Sequence, residues 1–203
     1  MHKVLTLIAA CTIGVVVAQP VQISNLMVAN PASQTLFTGI ENHLLLSPTG
    51  LISSVKTSSG AARLSNDTVY IDLSITGTIT LSLVRAEGQD DYTYHAKLLP
   101  EMKFGLEGHP QGIILLQRFQ QGQKFIIQPD EDGYWAGRRI DRFMAVVNNA
   151  TVMNEGNATS QQLATAIRGS QRGRVLQITL IEMYNERTGR HESIKTTLRI
   201  PVQ

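Results

Sequence analysis

From Ile194 to Val202 the chain alternates without a break. Ile194, Thr196, Leu198, Ile200 and Val202 fall on one side, Lys195, Thr197 and Arg199 on the other. A helix would scatter this pattern around its circumference, whereas a strand gathers it onto one half-buried face. Leu176, Ile178 and Leu180 alternate with Gln177 and Thr179 in the same way. Asn185–Arg190, with Gly189, supplies turn chemistry between the two runs, which makes them a hairpin. Ahead of the hairpin, Thr159 and Gln162 stand at capping-box spacing. Leu163, Ala166 and Ile167 share one helical face, and Gly169 offers the left-handed residue that ends a short helix. The chain is therefore expected to close with one short helix beside a two-stranded hairpin.

The same period of two recurs upstream. Val69, Ile71, Leu73 and Ile75 share a face, as do Ile79, Leu81 and Leu83 after a turn at Thr76-Gly77. Leu36–Leu46 reads as a strand pair or one bent strand, with Gly39 as the bulge or bend, Leu51–Lys56 as a short strand and Tyr92–Leu99 as a last strand, with Glu87–Asp91 as an acidic loop. Val21–Ala29 is an edge strand or linker. Pro100–Pro110, with Gly105 and Gly108, marks a boundary. Beyond it Gly112–Leu116, Lys124–Gln128, Ile140–Val147 and part of Val147–Gly156 are extended, and Asp130-Glu131-Asp132-Gly133 is a turn. The expectation is a mainly β chain of two small immunoglobulin-like sandwiches in tandem, over residues 19–100 and 101–203, the second with the helix before its last hairpin.

Only 5% of the residues are aromatic and 17% charged, so the polar faces are built from Ser, Thr, Asn and Gln. Residues 1–18 have the pattern of an export signal: Met1-His2-Lys3, an apolar run from Val4 to Val17, and Ala18 before Gln19-Pro20. The run is too short for a comfortable transmembrane helix, so no membrane span is expected after cleavage. Ile8-Ala9-Ala10-Cys11 also resembles a lipobox, which would acylate Cys11 instead. Cys11 is the only cysteine, so cleavage at Ala18 would leave a mature chain without disulfides or thiolate chemistry. The net charge is +2, and removing Lys3 lowers it by one, which gives no basic excess for nucleic acid. The clusters Arg138-Arg139-Arg142 and Arg168-Arg172-Arg174 read as solvated turns rather than a polyanion site.

Few residues invite catalysis. Asp130-x-Asp132-Gly133 begins like a calcium loop, but Arg139 stands where the closing glutamate belongs. His2, His43, His95, His109 and His191 lack the spacing of zinc ligands. Asp90-Asp91 fall in an expected loop, a poor frame for paired acid and base. Gly-x-Ser-x-Gly elbows and phosphate loops are missing. No catalytic residue, metal or cofactor is therefore expected. Asp67-Thr68-Val69 has the form of a short O-glycosylation motif with Thr68 as acceptor, and Asn66, Asn149 and Asn157 open Asn-x-Thr sequons. Tyr134, Trp135 and Phe119 form either an exposed aromatic patch or part of the second core. Tyr134, Trp135, Arg138 and Arg139 are the candidate partner contacts.

Arg142-Phe143 leading into Val146-Val147, then Gln161–Arg174, Leu176–Glu182 and Ile194–Ile200, resemble the last domain of the GldM/PorM family of gliding-motility and type IX secretion proteins of Bacteroidetes. Leu36–His43 through Ser47-Pro48-Thr49-Gly50 is similar to the strand entering that family's penultimate domain. Tyr92–Lys97 with Pro100 is similar to the strand between the two domains. The resemblance covers about residues 30–203. It implies a periplasmic or envelope-associated protein whose work is protein–protein contact, with type IX secretion subunits or further copies of itself as partners. The family's transmembrane helix and long helical periplasmic domain are replaced here by the leader. A secreted carbohydrate- or adhesin-type module is the alternative, and it would carry several aromatics on one exposed sheet face.

Overall fold

The computed structural model describes residues 20–49, 52–170 and 172–203. The leader and Cys11 lie outside them. The fold is mainly β: two sandwiches in tandem, the second carrying one short helix before its last hairpin.

In the first sandwich one sheet runs in the order β1 (Gln22–Asn25), β3 (Glu41–Ser47), β6 (Thr68–Asp72), β5 (Ala61–Ser65). The facing sheet runs β2 (Thr35–Phe37), β8 (Gly88–Lys97), β7 (Gly77–Arg85), β4 (Ile52–Thr57), with β2 parallel to β8. Period two delivers the core: Leu44, Val69, Ile71, Ile79, Leu81 and Leu83 are fully buried between the sheets. Each such side chain contributes roughly 1.5–3 kcal/mol of transfer free energy.

The second sandwich sets a four-stranded antiparallel sheet against the two-stranded sheet of β9 (Lys103–Leu106) and β10 (Phe125–Gln128). The larger sheet runs β12 (Ala150–Glu155), β11 (Arg138–Val147), β13 (Val175–Asn185), β14 (Arg190–Pro201). Phe104, Phe125 and Phe143 meet at its centre, with ring centroids 4.9–5.7 Å apart. The turn between β11 and β12 is Asn148-Asn149, both at positive φ, as the tightest hairpins require. The helix α1 (Gln161–Arg168) buries Leu163, Ala164 and Ile167.

Several expectations need correction. The helix cap is Ser160, whose Oγ accepts from the Leu163 N–H at 3.2 Å. Thr159 is instead held by backbone bonds to Gly122 and Gln123. Gly169 stays right-handed at φ −75°, and the Ser170 hydroxyl bonds the Ile167 carbonyl. Ala164, not Ala166, completes the fully buried face. In β13 a bulge between Ile178 and Leu180 resets the alternation, so Ile181 is buried and Leu180 only half-buried. Ile75 lies past the end of β6 and is 56% exposed. Glu87–Asp91 is not one loop, because β8 begins at Gly88 and carries Asp90 and Asp91. The Pro100–Pro110 stretch contains β9, and Gly112–Leu116 makes only a single bridge, Ile114 to Val202.

The bulge separates two neighbouring variants. Ile181→Ala is expected to lose about 2–5 kcal/mol in urea denaturation, and Leu180→Ala less than about 1 kcal/mol. Equal losses would contradict the shifted register.

Candidate functional site

The residues singled out as partner contacts converge where the two sandwiches meet. The turn before β11 is built by Asp130. Its Oδ1 accepts from the N–H groups of Asp132 (3.1 Å) and Tyr134 (3.2 Å), and its Oδ2 from that of Trp135 (2.7 Å). Asp132 pairs with Lys97 of the first sandwich at 2.8 Å. The Asp130 carboxylate is thus committed to the turn and that of Asp132 to Lys97, and no cluster of His, Cys, Asp or Glu among the described residues is arranged to hold a metal ion.

That turn aims Tyr134 and Trp135 inward. Both are 3% exposed, a correction to their role as surface contacts. The Tyr134 ring meets Phe37 of β2 edge-on at 4.8 Å and Trp135 at 4.7 Å. The Trp135 indole N–H donates to the Pro100 carbonyl at 3.0 Å, across the junction between the sandwiches. Met27, Val28 and Phe37 leave the first core and join the second. The Ala29 N–H bonds the Gly133 carbonyl at 3.1 Å, so the two backbones touch. Phe119 is buried in the same core.

Arg138 is likewise internal, with a side chain of zero exposure. Such a charge is tolerated only when fully partnered. Its Nε and Nη2 reach the two oxygens of Glu192 at 2.8 and 3.3 Å, Nη1 donates to the Tyr134 carbonyl, and the guanidinium lies 3.9 Å from the Tyr134 ring centre. Burial pushes the Tyr134 phenol up to about 12, so it stays protonated. Arg139 alone of the four faces solvent, 3.5 Å from Asp141.

A cleft of about 340 Å³ opens beside this seam. Its floor is Met27, Ile40, Leu99 and Ile194, and its rim includes Glu41, His43, Arg190 and Glu192. Glu41 collects Arg63 at 2.7 Å, His43 at 3.0 Å and Arg190 at 3.5 Å. Burial alone would raise the Glu41 carboxyl, but the hydrogen bonds and charges of Arg63 and His43 outweigh it and hold it below its ordinary value. Burial lowers His43 more than Glu41 raises it. At neutral pH the imidazole is therefore uncharged and donates its Nε2–H to the carboxylate, which can only accept. Arg190 also bonds the Tyr70 hydroxyl at 3.2 Å.

Elsewhere, Asp91 accepts from Ser82 and Gln89, which keeps its carboxyl below the ordinary value. Thr68 opens β6 and its hydroxyl bonds the Asp67 carboxylate at 3.1 Å. Sequence reasoning missed four buried asparagines, Asn25, Asn42, Asn154 and Asn185. Asn42 accepts from the Phe37 N–H (2.7 Å) and donates to the Phe37 and Ile71 carbonyls (2.8 and 3.2 Å), pinning β2 to the opposite sheet. Asn185 holds both the Arg187 N–H (3.0 Å) and Glu192 (2.7 Å), fixing the acid that Arg138 needs. A buried asparagine in a polar run has no periodic signal.

No protein-family model matches the chain, and no curated protein matches it in sequence. Among solved structures it is similar to the fibronectin(III)-like modules of Clostridium thermocellum CbhA, at 11% identity and a TM-score of 0.27, over 91% of this chain and 94% of that one. It is also similar to a tri-modular GH5 (subfamily 4) endo-β-1,4-glucanase from Bacillus licheniformis solved with cellotetraose, at 10% identity and a TM-score of 0.26. That likeness covers 90% of this chain and 38% of the enzyme. Neither similarity bears on what the chain binds.

Two measurements test the seam. At Gly133, φ is +71° and an added Cβ would lie 2.7 Å from the Ala29 Cβ. At Gly122, φ is +83° with open space around it. Gly122→Ala should cost about 1–2 kcal/mol of backbone strain, and Gly133→Ala about 1–3 kcal/mol more. Equal costs would mean that the two backbones do not touch.

The second measurement is stability against pH. Because the folded pKa of His43 lies below 6.5, the unfolded state takes up a proton that the folded state resists once the pH drops below that value. Its contribution to stability is therefore flat above pH 6.5, falls as the pH decreases, and levels off below the folded pKa. His43→Gln should remove this component from urea denaturation series, and an unchanged pH slope would refute it.

Proposed function

We propose that the chain is a non-catalytic exported protein of the cell envelope that works through protein–protein contact, as its resemblance to the periplasmic part of the gliding-motility and type IX secretion machinery implies. The observation that carries this reading is the seam. Phe37, Tyr134, Trp135 and the buried Arg138–Glu192 pair join the sandwiches through apolar packing and hydrogen bonds. A junction packed in this way favours one body over a hinged pair. The cleft's Glu41, His43, Arg190 and Glu192 support the reading further, since each is held by a partner within the protein. A stiff spacer of this kind offers its partners strand edges and outer faces. A carbohydrate module would need an aromatic platform, and the chain's single tryptophan is spent on the Pro100 carbonyl.

Affinity capture on the tagged full-length protein from Bacteroidetes cell envelopes is expected to recover secretion-ring subunits. Recovery of glycans alone would replace this reading with the carbohydrate-binding one, and recovery of neither would overturn it.

A further inference from the structure

The second sandwich is open along one side. Its smaller sheet ends in β9 and its larger sheet in β14, and neither strand has a further neighbour in its sheet. Between them runs a groove of about 310 Å³, lined by Met102, Phe104, Leu198 and Ile200 and bounded at the Pro201 end of β14 by Gln111 and Gly112, ahead of the Ile114 bridge to Val202. The backbone on both walls is directed into it. The Glu107 N–H bonds the Lys124 carbonyl on the β10 side, so the alternation of the strand turns the N–H and C=O of Phe104 away from β10. On β14 the Val202 N–H bonds Arg174, while the Pro201 carbonyl accepts from Ile114 on the outer side. The N–H and C=O of Arg199 therefore face outward with Pro201. A strand edge with unpaired backbone is a template for another strand.

The charges around the groove restrict what that strand can be. Lys103 and Arg199 line it and are exposed, and Lys195 is exposed further back along β14. Among the described residues, none of them has a carboxylate within ion-pair distance, whereas Lys97, Arg138 and Arg190 at the seam are each paired. Glu101 is the one acid lining the groove. Two copies of this edge paired antiparallel about Thr197 would set Lys195 of each opposite Arg199 of the other, and like charges directly opposite are unfavourable. Charge complementarity favours an acidic partner over a second copy.

We propose that this groove binds an extended acidic segment of a partner protein as an added strand on β14. Alternate apolar residues of the guest would face Phe104, Leu198 and Ile200, and its carboxylates would meet Lys103, Lys195 and Arg199. The proposal rests on the interaction-module reading above and assigns it a surface.

The test uses the full chain and two fluorescent peptides of equal length, one alternating valine and glutamate, the other valine and lysine. Fluorescence anisotropy should show saturable binding of the glutamate peptide, at least about tenfold tighter than the lysine peptide. Lys195→Glu with Arg199→Glu should reverse that preference. Arg199→Ala and Arg199→Pro remove the same charge, but only the proline removes the outward N–H, at an edge position that tolerates it. Arg199→Pro should therefore bind at least about tenfold more weakly than Arg199→Ala, with a similar unfolding midpoint. Equal affinity for the two peptides, or for the two Arg199 variants, would overturn the proposal. So would displacement of the peptide by an oligothymidylate, which would reveal a merely basic surface. If the peptides fail and envelope capture survives the Lys195→Glu/Arg199→Glu change, the groove is wrong and the interaction reading stands. If the peptide binds as stated and capture recovers no protein, the reading fails and the groove stands.

Discussion

The rest of the architecture depends on the hydrogen bond from the Trp135 indole to the Pro100 carbonyl, because it closes the junction between two separately layered sandwiches. Neither sandwich could leave Tyr134, Trp135, Met27 and Phe37 uncovered without exposing a contiguous apolar patch. The rings stack edge-on in sequence from Phe37 through Tyr134 to Trp135, the geometry that aromatic quadrupoles favour. Arg138 then seals the underside. A buried guanidinium is costly, and here the bidentate Glu192, the Tyr134 carbonyl and the Tyr134 ring together satisfy it. Removing Glu192 would leave an uncompensated charge in the interior.

Buried asparagines do much of the work of tying loops to sheets in this chain. Asn25, Asn42, Asn154 and Asn185 each sit at a place where the chain leaves one sheet for another or turns back on itself. Asn154, for example, accepts from the Ser160 N–H at 2.8 Å and donates to the Ala158 carbonyl at 2.9 Å, which sets the entry to α1. A primary amide offers both an acceptor and two donors, so one side chain can satisfy a loop's orphaned backbone groups on both sides. The arrangement also explains why the cap fell on Ser160: the segment ahead of it is already fixed by Asn154 and by the backbone pairing of Thr159.

Where the chain is regular, its fold was legible. The alternation in β6, β7 and β14 placed Val69, Ile71, Ile79, Leu81, Leu83 and Ile200 inside, as found. Legibility failed wherever a single residue breaks the period. The bulge after Ile178 shifts Leu180 outward and Ile181 inward, and no local signal marks it. The strand β5 has only Leu64 as a large apolar residue, and β9 is hidden between prolines and glycines. At the candidate site, Trp135 and Tyr134 were recognisable as anchors, but not the surface they anchor to. That surface is Pro100, 35 residues away, and Arg138 finds Glu192 across 54 residues. A lone sequence carries no record of such pairings, so an internal seam and an exposed patch look alike in it.

The long strand β14 connects these themes. Its first residues, Arg190 and Glu192, belong to the seam, where Arg190 meets Glu41 and Tyr70 of the first sandwich and Glu192 holds Arg138. Its last residues, Arg199 and Ile200, belong to the open side of the second sandwich. At the rise of an antiparallel strand, Arg190 and Arg199 lie about 30 Å apart. Screening at physiological ionic strength reduces charge coupling strongly beyond about 8 Å. The Arg190 pair at the seam and the unpaired Arg199 at the groove are therefore electrostatically independent. One end of the strand is committed to holding the protein together, and the other end is left free to recognise something else without weakening that hold.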